Sequence, residues 1–386
     1  MKRYLNPLIA LVLSVFSLSA FAAPNHYVIF VDAGSSGSRL HIFQYDDSKP
    51  SMPVVHDLHS KSIKPGLSFY APNPDQAGQS LKPALDDAVA FLQGKTDIKT
   101  VAVNVFGTGG MRSVTKEQEA AIYASVRAYL KNHYSFAPGS VQTILGSAEG
   151  LYGWLDVNYL SGNFQNCQPT IGSIDMGGAS TQIAFETQGQ PSPDLMKLNI
   201  NGQKYIVFSK SFLGFGQDAI RNSIIKDPQA NTCFPLNYEF QPGSFGNFNY
   251  SSCGWIYEKI IKDAHIGGQI LPTSQKKFIA YSGIYYTYNF FNVDKTPEQA
   301  ALEKNATTVC SETWDQLQKD YPTVAPQYLS TYCSNAAYQD ELLYYAYFLQ
   351  GSNQLTVLNQ IYDKDLQQYV DIDWPLGAAL YTLLKQ

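Results

Sequence analysis

Charge is sparse in this 386-residue chain: Asp, Glu, Lys and Arg together make up 15%. With 27 basic against 32 acidic residues the formal charge is −5, so the basic excess that non-specific nucleic-acid binding needs is missing. The six histidines, His26, His41, His56, His59, His133 and His265, do not cluster along the chain, which leaves no imidazole-based metal or triad pattern. Five cysteines, Cys167, Cys233, Cys253, Cys310 and Cys333, contain no Cys-x-x-Cys spacing, which argues against zinc. Beyond the first 22 residues no apolar run is long enough to cross a bilayer.

What is present is a core-forming, aromatic composition. Hydrophobic residues reach 45%, enough for a sizeable core, and the length allows one large or two medium domains. Aromatics reach 13%, with 27 Tyr, a surface chemistry that suits an exported hydrolase or a carbohydrate-handling protein without choosing between them. The start, "MKRYLNPLIALVLSVFSLSAFAAPN", has basic Lys2 and Arg3, an apolar stretch from Leu8 to Leu18, and Ala20-Phe21-Ala22 as an A-x-A site. Residues 1–22 read as a secretory signal peptide cleaved near Ala22/Ala23. The product is then expected to be secreted or periplasmic, to keep no membrane anchor, to be monomeric, and to carry −7 once Lys2 and Arg3 are gone (−5 − 2). Export permits disulfides; two local bridges are expected, Cys233–Cys253 and Cys310–Cys333, with Cys167 free. Asn249-Tyr-Ser and Asn305-Ala-Thr fit the glycosylation sequon.

Two stretches match each other. In "YVIFVDAGSSGSRLHIFQY" (27–45) and "IGSIDMGGASTQIAFE" (171–186), Asp32 aligns with Asp175, Gly34 with Gly177, Ser38 with Thr181 and Arg39 with Gln182, at an offset of 175 − 32 = 143 residues. Each copy reads as a strand, an Asp-x-Gly turn, small or hydroxyl residues, and a second strand. Each is followed by an apolar run entering a glycine turn, at Gly107 and at Gly283. The pattern implies a duplicated α/β unit and two similar lobes. "TKEQEAAIYASVRAYLKNHY" reads as a helix with Thr115 at its N-cap and a glutamate closing a capping box. Glycine turns allow close backbone approach, successive N–H groups form an anion nest, and hydroxyls add donors to phosphate oxygens. A carboxylate just before such a nest repels phosphate unless a cation intervenes. Facing Asp-x-Gly loops therefore suit Mg²⁺ or Ca²⁺ held by Asp32 and Asp175 through water.

With "DAGSSGSR" (32–39), "GTGGMR" (107–112), "GSAEGLYGWLDVNY" (146–159), "DMGGASTQ" (175–182) and "YSGIYYTYNFF" (281–291) in this order, the chain resembles the nucleoside triphosphate diphosphohydrolase, or ecto-apyrase, family. "WPLGAALY" (374–381) is similar to the family's C-terminal tryptophan stretch. The resemblance implies a two-lobed actin/hexokinase/Hsp70-like fold of duplicated ribonuclease H-like domains, with the active site in the interlobe cleft. It implies stepwise, Mg²⁺- or Ca²⁺-dependent hydrolysis of nucleoside tri- and diphosphates to monophosphate by a soluble, exported, bacterial member. Lobe I is expected over 23–150 and lobe II over 151–371, with a C-terminal helix at 372–386 returning to lobe I. By resemblance Glu149 is the base that activates water, and Ser180 and Gln182 hold that water. Ser35, Ser36, Gly37 and Ser38 would cradle one phosphate, Gly177, Gly178 and Ala179 the next, and Thr108 and Gly109 the terminal one. Ser38, Gly109 and Met176 stand where Thr, Ala and Leu are usual. Arg39 and Arg112 could either neutralise phosphate or brace their loops. A nucleobase would stack on an aromatic, for which Tyr338 is the candidate.

Three rival functions share parts of this pattern. A nucleoside diphosphatase restricted to GDP or UDP would keep every motif. An exopolyphosphatase or guanosine-pentaphosphate phosphohydrolase shares the two loops but should lack "EGLYGW". An actin-like nucleotide-binding protein without fast turnover has no need of a poised Glu149.

Overall fold

A computed structural model describes residues 26–384 apart from 189–190, 272–274 and 350–353. The expected signal peptide at 1–22 lies outside the described residues. The first sheet is built from β1 (His26–Ala33), β2 (Ser38–Asp46), β3 (Val54–Ile63), β4 (Ala102–Gly107) and β5 (Ala137–Thr143), in the order β3-β2-β1-β4-β5. The second contains β6 (Gly172–Met176), β7 (Ser180–Glu186), β8 (Leu195–Ile200) and β9 (Gln203–Leu213). After a two-stranded hairpin of β10 (Glu239–Gln241) and β11 (Ser244–Phe245), it is completed by β12 (Phe278–Ser282) and β13 (Leu355–Val357), in the order β13-β12-β6-β7-β9-β8. A last hairpin pairs β14 (Gln360–Asp363) with β15 (Gln368–Asp371).

The two sheets share one topology. In each, an antiparallel hairpin (β1–β2, β6–β7) extends through a third antiparallel strand (β3, β9), while a later strand (β4, β12) joins the first one in parallel. Asp32 pairs with Arg39 and Asp175 pairs with Gln182, so the aligned positions of the two copies occupy the same register. The duplication legible in the sequence is therefore a duplication of strand pairing.

Alternation along the strands creates the layers. Ile29, Val31 and Ala33 of β1 face a core closed by helices Lys82–Leu92 and Lys116–His133, while Phe30 faces the opposite way. Ile183 and Phe185 of β7 face the helices of the second half, while Ala184 faces inward with Phe30. Between the inner faces of the sheets lie helices Gly146–Leu160 and Trp374–Leu383, contributing Trp154, Leu155, Trp374 and Leu380 to that shared core. The helix carrying Glu149 is buried on nearly every side, as expected of a helix apolar all round. Gly153 permits this: a Cβ there would lie 2.1 Å from the Tyr281 hydroxyl. The lobe boundary expected at 150–151 falls inside this continuous helix, which packs on both sheets and belongs to the shared layer. The C-terminal helix spans Trp374–Leu383 and packs on Gly146–Leu160 and on β1, β2 and β3.

Helix Lys116–His133 starts with Thr115 as expected, but Gln118 rather than a glutamate closes the capping box. Both predicted bridges are present, Cys233–Cys253 and Cys310–Cys333, and Cys167 is free and exposed. All four bonded cysteines are buried in the core of the second half. Removing either bridge by Cys→Ser substitution should lower stability by about 3 kcal/mol, given loops of this length, read as a lower unfolding midpoint in denaturant. Both sequon asparagines are engaged: Asn249 accepts a bond from Ser252 N at 2.9 Å as a helix cap, and Asn305 donates to Phe291 O at 3.0 Å.

Candidate active site

The turns at 34–37 and 177–179 open into one cleft of about 270 Å³ between the two sheets. Asp32, Ser35, Ser36, Gly37 and Ser38 line it from the first hairpin, and Asp175, Gly177, Gly178, Ala179 and Ser180 from the second. Thr108 and Gly109 enter from the end of β4, and Glu149 from the first turn of its helix. The loops approach closely where the residue departs from the usual alanine: a Cβ on Gly109 would come within 2.9 Å of both Ala179 Cβ and Ser180 Oγ. Glycine at 109 thus lets the two halves of the site meet more tightly than alanine would.

Glu149 sits in a knot of bonds drawn from four chain segments. Its Oε2 accepts from Arg112 Nη2 at 2.7 Å and from Gln182 Nε2 at 3.2 Å. Arg112 Nη2 and Gln182 Nε2 each also donate to Ser180 Oγ at 2.9 Å, and Gln182 reaches Ser211 Oγ at 3.0 Å. Ser180 Oγ therefore receives two bonds, which leaves its own proton to point elsewhere. Gln182 is buried with its Oε1 unpartnered. This pairing of a fully acceptor-bound hydroxyl with a free amide oxygen can orient a water beside Glu149.

The electrostatics favour a cation. Burial holds the Asp32 carboxyl well above the ordinary range, and the nearby Glu149 and Asp373 push it further. Burial, then Glu149, raises Asp175 to about 7. Glu149 is raised by burial and pulled back by Arg112. Asp32 Oδ1 and Asp175 Oδ1 are both buried without a hydrogen-bond partner. Among the described residues no group of three or more His, Cys, Asp or Glu side chains could hold a metal by itself. Two orphaned, mutually repelling carboxylates beside phosphate nests fit a hydrated divalent ion shared with phosphate rather than a protein cage.

Three placements differ from expectation or were left open by it. Tyr338 is a core residue: it is 1% exposed, its hydroxyl donates to Phe215 O, and it packs against Tyr257. Its helix, Tyr332–Asp340, is buried along most of its length, so no face of Tyr338 is available to a base. Tyr286 instead lines the cleft at 49% exposure; its signal was its place within "YSGIYYTYNFF". Arg39 lines the cleft and donates to Ser62 Oγ at 3.1 Å, with Asp373 3.6 Å away. Arg112, left undecided from sequence, touches both Glu149 and Ser180, and a signal existed: a buried carboxylate demands a cation.

A sequence profile of the GDA1/CD39 (nucleoside phosphatase) family matches residues 20–386. The chain is 27% identical to "Probable apyrase 3" of Arabidopsis thaliana, covering 97% of this chain and 86% of that protein. It is 28% identical to ectonucleoside triphosphate diphosphohydrolase 1 of Mus musculus, covering 92% and 80%. Over a shorter region, 52% of this chain and 38% of its counterpart, it is 36% identical to the guanosine-diphosphatase of Schizosaccharomyces pombe. Among solved structures it is similar to nucleoside triphosphate hydrolases from Neospora caninum, with a TM-score of 0.69 at 16% identity over 93% of this chain and 92% of that one. It also resembles a Ppx/GppA family member from Aquifex aeolicus, at 0.57 and 15% over 94% and 98%. These two likenesses speak for the fold, a mixed α/β architecture of two halves with the actin-like topology expected. With its two-sheet duplication, its paired phosphate-type loops and a family match that runs to its last residue, the chain belongs to the GDA1/CD39 (nucleoside phosphatase) family.

Proposed function

We propose that this protein is an exported, divalent-cation-dependent apyrase that hydrolyses nucleoside tri- and diphosphates to monophosphate and phosphate. The observation that carries the reading is the convergence of Glu149, Arg112, Ser180 and Gln182 on one knot beside two phosphate-type loops. The names of the full-length relatives, apyrase and ectonucleoside triphosphate diphosphohydrolase, agree with it.

In this reading the substrate's phosphates lie between residues 35–38 and 177–179, with Thr108 and Gly109 at the terminal phosphate. Asp32 and Asp175 would hold a Mg²⁺ or Ca²⁺ ion through water, and such an ion would supply charge neutralisation at the phosphates. Ser180 and Gln182 fix the attacking water, and Glu149 takes its proton as the water oxygen bonds to the terminal phosphorus and the bond from that phosphorus to the bridging oxygen breaks, so that phosphate and the shortened nucleotide leave. Arg112 aims Glu149 and opposes the upward pull of burial on its carboxyl. The base rests on Tyr286 at the rim of the cleft.

Phosphate release from ATP, ADP, GDP, UDP and polyphosphate, with and without EDTA, tests the whole reading. Release from ATP and ADP that stops in EDTA and returns with added Mg²⁺ or Ca²⁺ is the expected result. Release from GDP and UDP alone would favour the narrow diphosphatase, release from polyphosphate alone the polyphosphatase, and none at all would remove the enzyme. Tyr286→Ala should raise KM about tenfold with kcat nearly unchanged, the scale of one lost base–aromatic stack. Tyr338→Phe should leave KM alone and cost about 1 kcal/mol of stability through its lost hydrogen bond. Two buried disulfides suit an oxidising compartment and hence export. Among the described residues no helix is long and apolar enough to cross a membrane.

A further inference from the structure

We infer that Lys64 is a substrate-binding residue: its ammonium leaves the Tyr328 hydroxyl to engage the polyphosphate chain at the first glycine turn. The inference deepens the apyrase reading above and rests on it. The cleft is short of available positive charge. Four carboxylates line it, Asp32, Glu149, Asp175 and Asp373, and among the described lining residues only Arg39 and Lys64 are cationic. Arg39 is already committed, with Asp373 3.6 Å and Asp371 3.9 Å from its guanidinium. Lys64 makes no ion pair among the described residues; its ammonium donates to the Tyr328 hydroxyl, 264 residues away in the chain. A nucleoside di- or triphosphate brings several negative charges, and an ammonium bonded to phosphate is a stronger pairing than one bonded to a phenol.

The fold places the stem of Lys64 against the turn. Ile63 ends β3 opposite Ser38, so Lys64 is the first residue beyond the strand. A Cβ on Gly37 would meet Ile63 O at 2.9 Å and Lys64 Cγ at 3.4 Å, and one on Gly66 would meet Gly34 O at 2.2 Å. Residues 63–66 are thus packed on the turn, while the ammonium of Lys64 reaches a tyrosine that does not line the cleft. The repeat sharpens the point. Thr181, the counterpart of Ser38, pairs with Phe212, and the next residue is Leu213. The first half carries a cation where the second carries a leucine. The charge therefore stands beside the turn at 35–38 and not beside the turn that leads to Ser180 and Gln182.

Calorimetric binding of a non-hydrolysable β,γ-imido ATP analogue with Mg²⁺, repeated across a salt series, tests the inference. Lys64→Ala should weaken binding about tenfold to a hundredfold, the scale of one hydrogen bond to a charged group. The deficit should narrow as salt rises, as expected when an exposed charge has been lost. Lys64→Arg should keep most of the affinity. Tyr328→Phe should bind as well as wild type or a few-fold tighter, because the lysine no longer gives up a partner. Both side chains are exposed, so the thermal midpoint of each variant should stay within about 2 °C of wild type. Wild-type affinity in Lys64→Ala, or a deficit that salt leaves unchanged, would overturn the inference. A clearly lowered midpoint in Lys64→Ala would assign the residue to holding the turn instead. Weaker binding by Tyr328→Phe would overturn the release from Tyr328. If the wild-type protein does not bind the analogue, the nucleotide reading fails and takes this inference with it.

Discussion

Glu149→Gln should lower turnover of ATP and ADP by at least about a hundredfold while leaving nucleotide affinity close to wild type, the scale set by loss of a positioned general base. The substitution keeps the size and one acceptor oxygen and removes the negative charge, and with it the ability to take a proton. Glu149 lines the cleft and is buried, with Oε2 held at 2.7 Å by Arg112 and 3.2 Å by Gln182, so the amide can fill the same position. A single-turnover measurement alongside analogue binding separates the two effects. Loss of affinity equal to the loss of rate would mean that Glu149 acts in binding, and near-normal turnover would remove it from the chemistry.

Arg112→Ala should be nearly as damaging, and for a different reason. The guanidinium bonds Glu149 Oε2 and Ser180 Oγ at once, and its side chain is 14% exposed against 8% for Glu149. Removing one member of a mostly buried pair leaves an uncompensated charge and should cost on the order of 3 kcal/mol in stability. It should also change the pH dependence. Burial raises the Glu149 carboxyl and Arg112 lowers it; without Arg112 only the upward influence of burial remains. The base must be ionised to act, so the acidic limb of kcat/KM should move to higher pH, with activity lost earlier as pH falls. Arg112→Lys keeps a charge but not the planar fork that serves two acceptors, and should fall between wild type and alanine. A drop in rate with an unmoved acidic limb would show that Arg112 braces the loop without tuning Glu149.

Much of the architecture was legible because it repeats. The Asp-x-Gly turns at 32–34 and 175–177 announced two hairpins, and the paired positions Asp32–Arg39 and Asp175–Gln182 do share one register. Local rules were also readable: the Thr115 cap and both disulfides, whose members lie 20 and 23 residues apart. What failed were choices that depend on which way a helix faces. Tyr338 and Tyr286 are both tyrosines on helices in aromatic-rich stretches, yet one is 1% and the other 49% exposed. Helical spacing gives a stripe of neighbours but not the identity of the partner that covers it. Position 150 lies within helix Gly146–Leu160, which belongs to the layer between the sheets.

The sequence by itself determined the chemistry on offer. It supplied two phosphate-type loops, two carboxylates that precede them, a third in Glu149, and no histidine or cysteine cluster to compete with them. Residue type and spacing along one strand or one turn suffice for that, since a turn's backbone conformation is set within a few residues. Only the tertiary structure decided which of those groups touch. Arg112, Glu149, Ser180, Gln182 and Ser211 come from a helical turn, a buried helix and two strands, and the hydrogen bonds that join these segments span from 29 residues (Gln182 to Ser211) to 68 (Arg112 to Ser180). Contacts across such distances are fixed by how two sheets close over a shared apolar layer, and apolar burial, which drives that closure, carries no information about polar partners.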